Sequence, residues 1–250
     1  MPELPDVEDA RQHIEAHGLH RRIAAVEDGD TYVSRPHAPG EIAGALTGRE
    51  LTAAHRRGKA MWIETSGDGP ILGLHLGMAG RIAIDEEPSE QGWDRFVLRF
   101  EDGGTLALRD KRRLGRARLE PDIEALGPDA GEVDREDFRE LVRRGRGPIK
   151  ARLMDQAVIA GIGNLMADEI LWRACLDPRR SAGDLDDAEL DRLWRDMRTI
   201  IRMSIRRGHA GVSEVIPERR RGGRCPRCGT EMARGAIGGR TTYWCPREQR

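Results

Sequence analysis

The chain has 250 residues, of which 38% are hydrophobic and 34% are charged, with a formal net charge of −1 at pH 7. This length predicts one large domain or two to three small ones. No apolar run approaches the roughly 18 residues that a membrane-spanning helix needs, and the acidic start lacks the apolar stretch of a signal peptide. We therefore expect no membrane association and a reducing, cytoplasmic compartment, where the four cysteines indicate a metal site or free thiols.

The nearly neutral total hides a segregation of charge along the chain. Residues 201–250 contain twelve Arg and four Glu, without Lys or Asp. Residues 109–118 contain six basic residues and one acidic residue. Clustered cations in a neutral chain indicate a surface that faces a polyanion. The alternative interpretation is a set of solvated surface arginines.

The first half of the chain is predicted to be mainly β. A leading helix is expected, because Val7, Ala10 and Ile14 recur at helical spacing. Residues 23–119 alternate short apolar segments with glycine-rich turns, which is typical of strands joined by hairpins. Residues 120–132 are rich in Pro and Gly and predict a linker.

The second half is predicted to be helical up to residue 208. Helical periodicity predicts one helix that runs through Leu153 and Ile159. Asp186 and Glu189 match a capping box, which predicts the start of a long amphipathic helix that ends at Gly208. The residues from 219 onward are too few for a core of their own, so the pattern predicts a β domain, a helical domain and a small tail.

The tail carries a candidate metal site. Cys225 and Cys228 form one Cys-x-x-Cys pair, whereas the second half-site pairs Cys245 with Glu248. Two complete pairs are typical of tetrahedral zinc. We therefore expect one structural zinc ion held by the three cysteines, with Glu248 or water as the fourth ligand. The alternative is a hairpin that folds without metal.

The amino terminus is a candidate reagent. Removal of Met1 exposes the secondary amine of Pro2, and a terminal amine has a reference pKa of about 8. Such an amine can attack an electrophilic carbon and form an iminium, while Glu3 supplies a proton. The alternative interpretation is an inert terminus.

Six motifs between residues 2 and 249 resemble, in the same order, those of the formamidopyrimidine-DNA glycosylase and endonuclease VIII family. They are residues 2–8 (PELPDVE), 57–59 (RGK), 75–80 (HLGMAG), 110–115 (DKRRLG), 155–156 (DQ) with 161–169 (GIGNLMADE), and 239–241 (GRT) before 243–245 (YWC).

The resemblance implies a multidomain α+β fold in three parts. Residues 1–127 would form an N-terminal catalytic β-sandwich with a leading helix. Residues 128–218 would form a helix-two-turn-helix DNA-binding domain, and residues 219–250 a zinc-finger-like β-hairpin.

The resemblance also implies a bifunctional DNA glycosylase and abasic-site lyase. Such an enzyme flips a damaged nucleotide out of duplex DNA, because the sugar carbon is shielded in the stack. Pro2 would attack that carbon and form a Schiff base, with Glu3 as general acid. Lys59 would assist β-elimination and hold a phosphate, and Arg240 would grip phosphates and assist δ-elimination. Without the resemblance, Lys59 is interpreted as a surface lysine.

Three further residues match those that fill the space left by a flipped base. Met78 and Leu114 would form an apolar wedge that replaces the lost stacking, and Arg113 would bond to the orphaned partner base. Many family members have Phe at the position of Leu114, so the wedge is smaller here. Without the resemblance, Met78 and Leu114 are interpreted as core residues.

Phosphate contacts are expected from His75, Lys150 and Asn164. Asn164 lies where a glycine-rich turn enters a helix, so it is interpreted either as an ordinary N-cap or as part of a phosphate site made by free N–H groups.

The chain departs from the family pattern in places. Asp6 replaces a frequent Glu, and residues 93–95 (WDR) replace a His-Asp-His element. The segment of residues 208–224 lacks the longer loop with which 8-oxoguanine enzymes cover the flipped base. We therefore expect oxidised pyrimidines, formamidopyrimidines or abasic sites as substrates.

The expected partner is double-stranded DNA that contains damaged bases or abasic sites. We expect a monomer that acts in the cytoplasm and associates with the nucleoid when bound to DNA. Two alternatives stay open: a non-catalytic or catalytically weakened damaged-DNA-binding protein on the same fold, and an Arg-rich RNA-binding protein with a zinc module.

Overall fold

The computed structural model describes residues 2–207 and 213–250, and these residues divide into two compact units. Unit 1 contains Pro2 and residues 6–123, and unit 2 contains residues 3–5 and 124–250 within the described ranges. The tail hairpin belongs to unit 2. The α+β class is confirmed, whereas the division into three domains stays a prediction. The predicted helix end at Gly208 and part of the short segment after it lie outside the described residues.

Unit 1 is an antiparallel β-sandwich. Its two four-stranded sheets have the orders β1-β6-β7-β5 and β2-β3-β4-β8. The described strands are β1 (Ile23–Glu27), β2 (Leu51–Arg57), β3 (Ala60–Thr65), β4 (Leu72–His75), β5 (Arg81–Ile84), β6 (Asp94–Phe100), β7 (Thr105–Arg109) and β8 (Arg116–Leu119). The helices are α1 (Leu4–His17) and α2 (Glu41–Leu46).

The alternation of apolar residues explains the core of this sandwich. Ile63 on β3 and Leu106 and Leu108 on β7 are fully buried in one cluster to which both sheets contribute, as expected for strands whose successive side chains point to opposite faces. The predicted face of α1 (Val7, Ala10 and Ile14) is buried in the same cluster. The leading helix and the β domain are therefore confirmed.

Unit 2 contains four described α-helices around a second core. They are α3 (Arg135–Arg143), α4 (Ile149–Met154), α5 (Asn164–Arg173) and α6 (Asp187–Arg206). The capping box of Asp186 and Glu189 is present at the start of α6. The predicted helix through Leu153 and Ile159 is wrong, because α4 ends at Met154. The Asp155 carboxylate accepts a hydrogen bond from the Ala157 N–H at 3.1 Å, which competes with helical bonding.

The tail forms a β-hairpin of β9 (Ala233–Ile237) and β10 (Arg240–Trp244). Gly238 and Gly239 make its turn with φ of +56° and +72°, a conformation that favours glycine in tight hairpins. The tail shares an apolar cluster with the helical part of unit 2, in which Cys225, Met232 and Cys245 pack with Trp172 of α5 and with Val215. Among the described residues, no helix combines the length and apolarity that crossing a membrane requires.

Candidate active site and metal centre

Glu3 is held at the N-terminus of α5. Its side chain is fully buried, and its two carboxylate oxygens accept hydrogen bonds from the Leu165 N–H at 2.9 Å and the Met166 N–H at 3.1 Å. A Cβ at Gly163 would lie 2.4 Å from Glu3 Cδ. The glycine before α5 therefore makes room for this carboxylate, and the free N–H groups of the helix fix it.

Pro2 is half-buried and directly precedes this carboxylate in the chain. The predicted nucleophile, Pro2, is therefore the chain neighbour of the predicted acid, Glu3. The position of Glu3 is fixed within unit 2.

Lys59 and His75 belong to unit 1 and affect each other electrostatically. Lys59 is half-buried at the turn between β2 and β3, and His75 ends β4. Desolvation by surrounding atoms, and then the positive charges of Lys59, Arg116 and Arg118, hold the pKa of His75 below its usual range. Its Nδ1 accepts a hydrogen bond from the Gly77 N–H at 3.0 Å. The neutral ring therefore carries its proton on Nε2, which can donate to a phosphate.

The two predicted wedge residues are exposed. Met78 is 41% exposed and Leu114 is 38% exposed, so the interpretation of both as core residues is wrong. Gly77 has a φ of +62°, and a Cβ there would lie 2.5 Å from the Leu114 carbonyl carbon. The loops of Met78 and Leu114 are therefore in contact through a glycine that allows their close approach.

Buried Asp110 shapes the second of these loops. Its carboxylate accepts hydrogen bonds from the backbone N–H groups of Arg112, Leu114 and Gly115 at 2.7–2.8 Å. Asp110 belongs to the motif of residues 110–115, in which no role was expected for its side chain. The local signal for this role is an acidic residue two to five positions before the N–H groups of a turn, because its carboxylate can accept their hydrogen bonds.

Arg113 forms an ion pair with Asp30. Its Nε and Nη2 each donate to Asp30 at 2.8 Å, and its guanidinium carbon lies 4.8 Å from the centroid of the Tyr32 ring. Its neighbour Arg112 is exposed and has no ion-pair partner in the part of the chain that the structure describes. Arg112, which sequence analysis did not single out, is thus the more available guanidinium of this loop.

Lys150 requires a correction. Its side chain is fully buried, with Nζ 2.6 Å from Asp168 Oδ1 and 2.7 Å from Thr242 Oγ1. Burial holds the pKa of Lys150 below its usual value, against the opposing effect of Asp168. In this arrangement Nζ cannot reach a phosphate, so the expected phosphate contact is replaced by an internal ion pair.

The Thr241 carbonyl joins Asn164 to the hairpin. Asn164 is the first residue of α5, not its N-cap: the cap is Gly163, without a side-chain hydrogen bond. The N-cap interpretation is therefore wrong. Instead, Asn164 Nδ2 donates to Thr241 O at 3.2 Å, and Arg219 Nη2 donates to the same oxygen at 3.1 Å.

Arg240 immediately precedes this carbonyl at the start of β10 and is exposed. The Asn164 side chain, which was predicted to bind phosphate, is therefore hydrogen-bonded to the residue that follows Arg240, a second predicted phosphate contact. Local sequence patterns contain no signal for this hydrogen bond, because Asn164 and Thr241 are 77 positions apart.

Three thiols form the candidate metal centre. The Sγ atoms of Cys225, Cys228 and Cys245 lie within 4.8 Å of one another, which suits thiolates at about 2.3 Å from a tetrahedral zinc ion. Burial raises the pKa of Cys245 to about 11. For Cys225, burial is outweighed by hydrogen bonds from the Trp172 indole and backbone N–H groups, so its pKa is lowered.

Glu248 is not part of this sulfur cluster. The described metal-capable group contains only the three cysteines, and Glu248 contributes its backbone N–H, which donates to Cys245 Sγ at 3.4 Å. The turn after Cys245 directs the backbone, and not the carboxylate, at the sulfur. We therefore correct Glu248 from a ligand to a backbone hydrogen-bond donor, and three cysteines remain to hold a metal.

Metal analysis is expected to find about one zinc ion per chain. Cys228→Ser should lose the metal because it removes one of three thiolate ligands, whereas Glu248→Gln should retain it. Mass spectrometry of the native protein measures both. Loss of zinc from Glu248→Gln, or a fully active protein that contains no zinc, would contradict this assignment.

Two family models match most of the chain. The formamidopyrimidine-DNA glycosylase N-terminal domain matches residues 1–117, and the formamidopyrimidine-DNA glycosylase H2TH domain matches residues 125–215. A β-sandwich of the first kind followed by an H2TH (helix-two-turn-helix) domain defines a class of DNA glycosylases.

Curated relatives and solved structures agree over the full length. A formamidopyrimidine-DNA glycosylase of Roseiflexus sp. is 35% identical, with 100% of both chains covered. One of Nocardioides sp. is 33% identical over 98% of this chain and 93% of the relative. The Lactococcus lactis Fpg in complex with DNA containing an abasic site is similar with a TM-score of 0.86 and 26% identity, and covers 100% of both chains. Its complex with DNA containing an oxidized pyrimidine gives 0.86 and 27% over the same coverage.

The chain therefore belongs to the formamidopyrimidine-DNA glycosylase family.

Proposed function

We propose that this protein is a bifunctional DNA glycosylase and abasic-site lyase that excises damaged bases from duplex DNA. The observation that carries the proposal is the carboxylate of Glu3, which is buried and fixed by two backbone N–H groups directly after Pro2. These hydrogen bonds offset the cost of burying an acidic side chain and hold the predicted proton donor directly after the predicted nucleophile. Family membership and the DNA in the related complexes support the same conclusion.

The first step replaces the glycosidic bond. After removal of Met1, the Pro2 nitrogen attacks C1′ of a flipped nucleotide, the bond between C1′ and the base breaks, and the base leaves with its electron pair. The Glu3 carboxylate takes up the proton that the Pro2 nitrogen loses after its attack and, as general acid, passes it to the ring oxygen as the sugar opens or to the departing base. Loss of the ring oxygen from C1′ then leaves an iminium between Pro2 and C1′.

The second step cleaves the strand. The iminium acidifies the C2′ proton, whose removal expels the 3′ phosphate by β-elimination, and a further proton loss expels the 5′ phosphate by δ-elimination. Water then hydrolyses the iminium and regenerates Pro2. Lys59 assists the first elimination and holds a phosphate, and exposed Arg240 holds a phosphate and assists the second.

DNA is held by phosphate contacts and by filling of the duplex. His75 donates from Nε2 to a phosphate, and Asn164, whose side chain lies beside the hairpin, contacts a second phosphate. Met78 and Leu114 occupy the space of the flipped base, and an exposed arginine of the same loop, most directly Arg112, bonds to the partner base.

The proposed substrates are oxidised pyrimidines, formamidopyrimidines and abasic sites in double-stranded DNA. The related complexes contain an oxidized pyrimidine and an abasic site, which supports this range. We propose that the protein acts as a monomer in the cytoplasm and associates with the nucleoid through its cationic segments.

Base excision should be lost in Glu3→Gln. The amide cannot transfer the proton, and the expected decrease in the excision rate is at least about 100-fold. Duplexes that carry one oxidised pyrimidine, one formamidopyrimidine or one abasic site measure the rate of excision and nicking. Glu15→Gln is the matched control, because Glu15 lies on α1, the helix that directly follows Glu3, with its side chain 56% exposed.

Binding separates the proposal from its rival. Glu3→Gln should still bind an abasic-analogue duplex, since the carboxylate is not a phosphate ligand. If neither wild type nor Glu3→Gln excises any lesion while both bind damaged duplexes, the chain is a damaged-DNA-binding protein without catalysis.

A further inference from the structure

Tyr32 is an exposed aromatic residue with no assigned role. In the described ranges, three large hydrophobic side chains are exposed: Tyr32 at 57%, Met78 at 41% and Leu114 at 38%. The proposed function uses Met78 and Leu114 as the wedge but leaves the most exposed of the three unexplained.

The Tyr32 ring adjoins the wedge loop. Arg113, the residue before Leu114, places its guanidinium carbon 4.8 Å from the Tyr32 ring centroid. Asp30 ties the two segments together, because it accepts two hydrogen bonds from Arg113 at 2.8 Å and one from the Tyr32 N–H at 3.1 Å. The Tyr32 ring therefore lies beside the loop that carries Leu114, and Gly77, next to Met78, closely approaches the Leu114 backbone. We name the exposed side chains of Tyr32, Met78 and Leu114 the apolar patch.

The charges around the patch identify its partner. Arg35 is exposed, and its guanidinium carbon is 5.8 Å from the Tyr32 ring centroid. Lys111 and Arg112 are exposed on the wedge loop itself. An aromatic ring surrounded by cations suits a nucleic acid, since bases stack on the ring while phosphates pair with the cations. DNA fits the patch better than a protein partner with an acidic, apolar face, because the neighbouring wedge already faces DNA in the proposed function.

We infer that Tyr32 is a further DNA-contacting residue, which packs against a base or deoxyribose next to the flipped nucleotide. This inference rests on the proposed function. Asp30 acts as a positioning residue: it fixes Arg113 against Tyr32 and so sets the distance between the ring and the Leu114 wedge. The wedge is small, because Leu114 lacks an aromatic ring, and Tyr32 adds a stacking surface at its margin.

The affinity for a duplex with an uncleavable abasic analogue tests the inference. Tyr32→Ala should weaken binding of this duplex about tenfold, within the range known for loss of one stacked base, whereas Tyr32→Phe keeps the ring and should bind within about twofold of wild type. The preference for the abasic analogue over undamaged duplex should fall with Tyr32→Ala. Thermal denaturation of each variant checks that the fold is intact.

A cross-link distinguishes direct contact from support of Arg113. A 5-iodouracil placed on either side of the analogue, or opposite it, should photo-cross-link to Tyr32, as mapped by peptide mass spectrometry. If Tyr32 only supports Arg113, no such adduct forms at any of these positions. That result overturns the inference, as does wild-type affinity of Tyr32→Ala.

Failure of the proposed function has a different signature. In that case wild type itself shows no preference for the abasic analogue and excises no lesion. If wild type shows both and Tyr32→Ala is unchanged, only the inference about Tyr32 fails.

Discussion

A chain whose added N-terminal tag keeps the Pro2 nitrogen in a peptide bond is expected to form no covalent adduct with DNA and to cleave no strand. An amide nitrogen has its lone pair in resonance with the carbonyl, so it cannot attack C1′. Pro2→Gly should also lose strand cleavage, because its primary amine gives an imine that is cationic only when protonated, whereas a proline iminium is always charged.

Borohydride trapping on duplexes with an abasic site measures this directly. Wild type with a free Pro2 should yield an adduct that maps to Pro2. The matched control is the same tagged protein after proteolytic removal of the tag, with the free terminus confirmed by mass. Binding of the uncleavable duplex should survive in both forms. An adduct at another residue of the tagged chain would remove the assignment of Pro2 as nucleophile.

Features encoded by neighbouring residues were predictable from the sequence. The capping box of α6 depends on Asp186 and Glu189, which are three positions apart, and the apolar face of α1 depends on one helical repeat. The three-cysteine site follows from its spacing. In each case the pattern and the contact involve the same few residues, so the pattern predicts the geometry.

Features that depend on long-range contacts were not predictable. The burial of Lys150 depends on Asp168 and Thr242, which come from different elements. A phosphate contact was expected from Lys150, because its buried partners could not be seen in the local sequence. Likewise, the ion pair of Arg113 is with Asp30, 83 positions away. The hydrogen bond from Asn164 to the hairpin also becomes visible only in the folded chain.

The same distinction between local sequence patterns and long-range contacts applies to the site residues. The motifs identified Glu3 as a candidate acid, but they did not reveal that two N–H groups of α5 hold its carboxylate or that Gly163 makes room for it. The motifs of Met78 and Leu114 predicted a wedge, a role that needs exposed side chains, and both side chains are exposed, although hydrophobicity alone favours burial. The wedge role itself stays a prediction.

The buried cluster around Asp168 should be the most sensitive structural element of unit 2. Asp168 is 1% exposed and pairs with Lys150 at 2.6 Å and with Arg219 at 2.7 Å. It also accepts the Tyr243 N–H of β10 at 3.1 Å. One carboxylate therefore forms ion pairs with two cations and anchors the strand that begins with Arg240.

Asp168→Asn is expected to destabilise the protein by about 3–5 kcal/mol, because it removes the carboxylate that pairs directly with the buried ammonium of Lys150. For a chain of this size the melting temperature should fall on the order of 10 °C. Glu140→Gln is the control: it breaks an ion pair with Arg144 in which both side chains are about 70% exposed, and it should cost less than about 1 kcal/mol.

A second variant and a local measurement separate anchoring of the hairpin from general loss of stability. Asp168→Asn combined with Lys150→Met should recover much of the melting temperature, since the orphaned ammonium is removed. Amide hydrogen exchange in β10 should nevertheless stay faster than in wild type, because the acceptor of the Tyr243 N–H is weakened. Wild-type exchange in β10 together with an unchanged melting temperature would show that the Asp168 carboxylate does not anchor the hairpin.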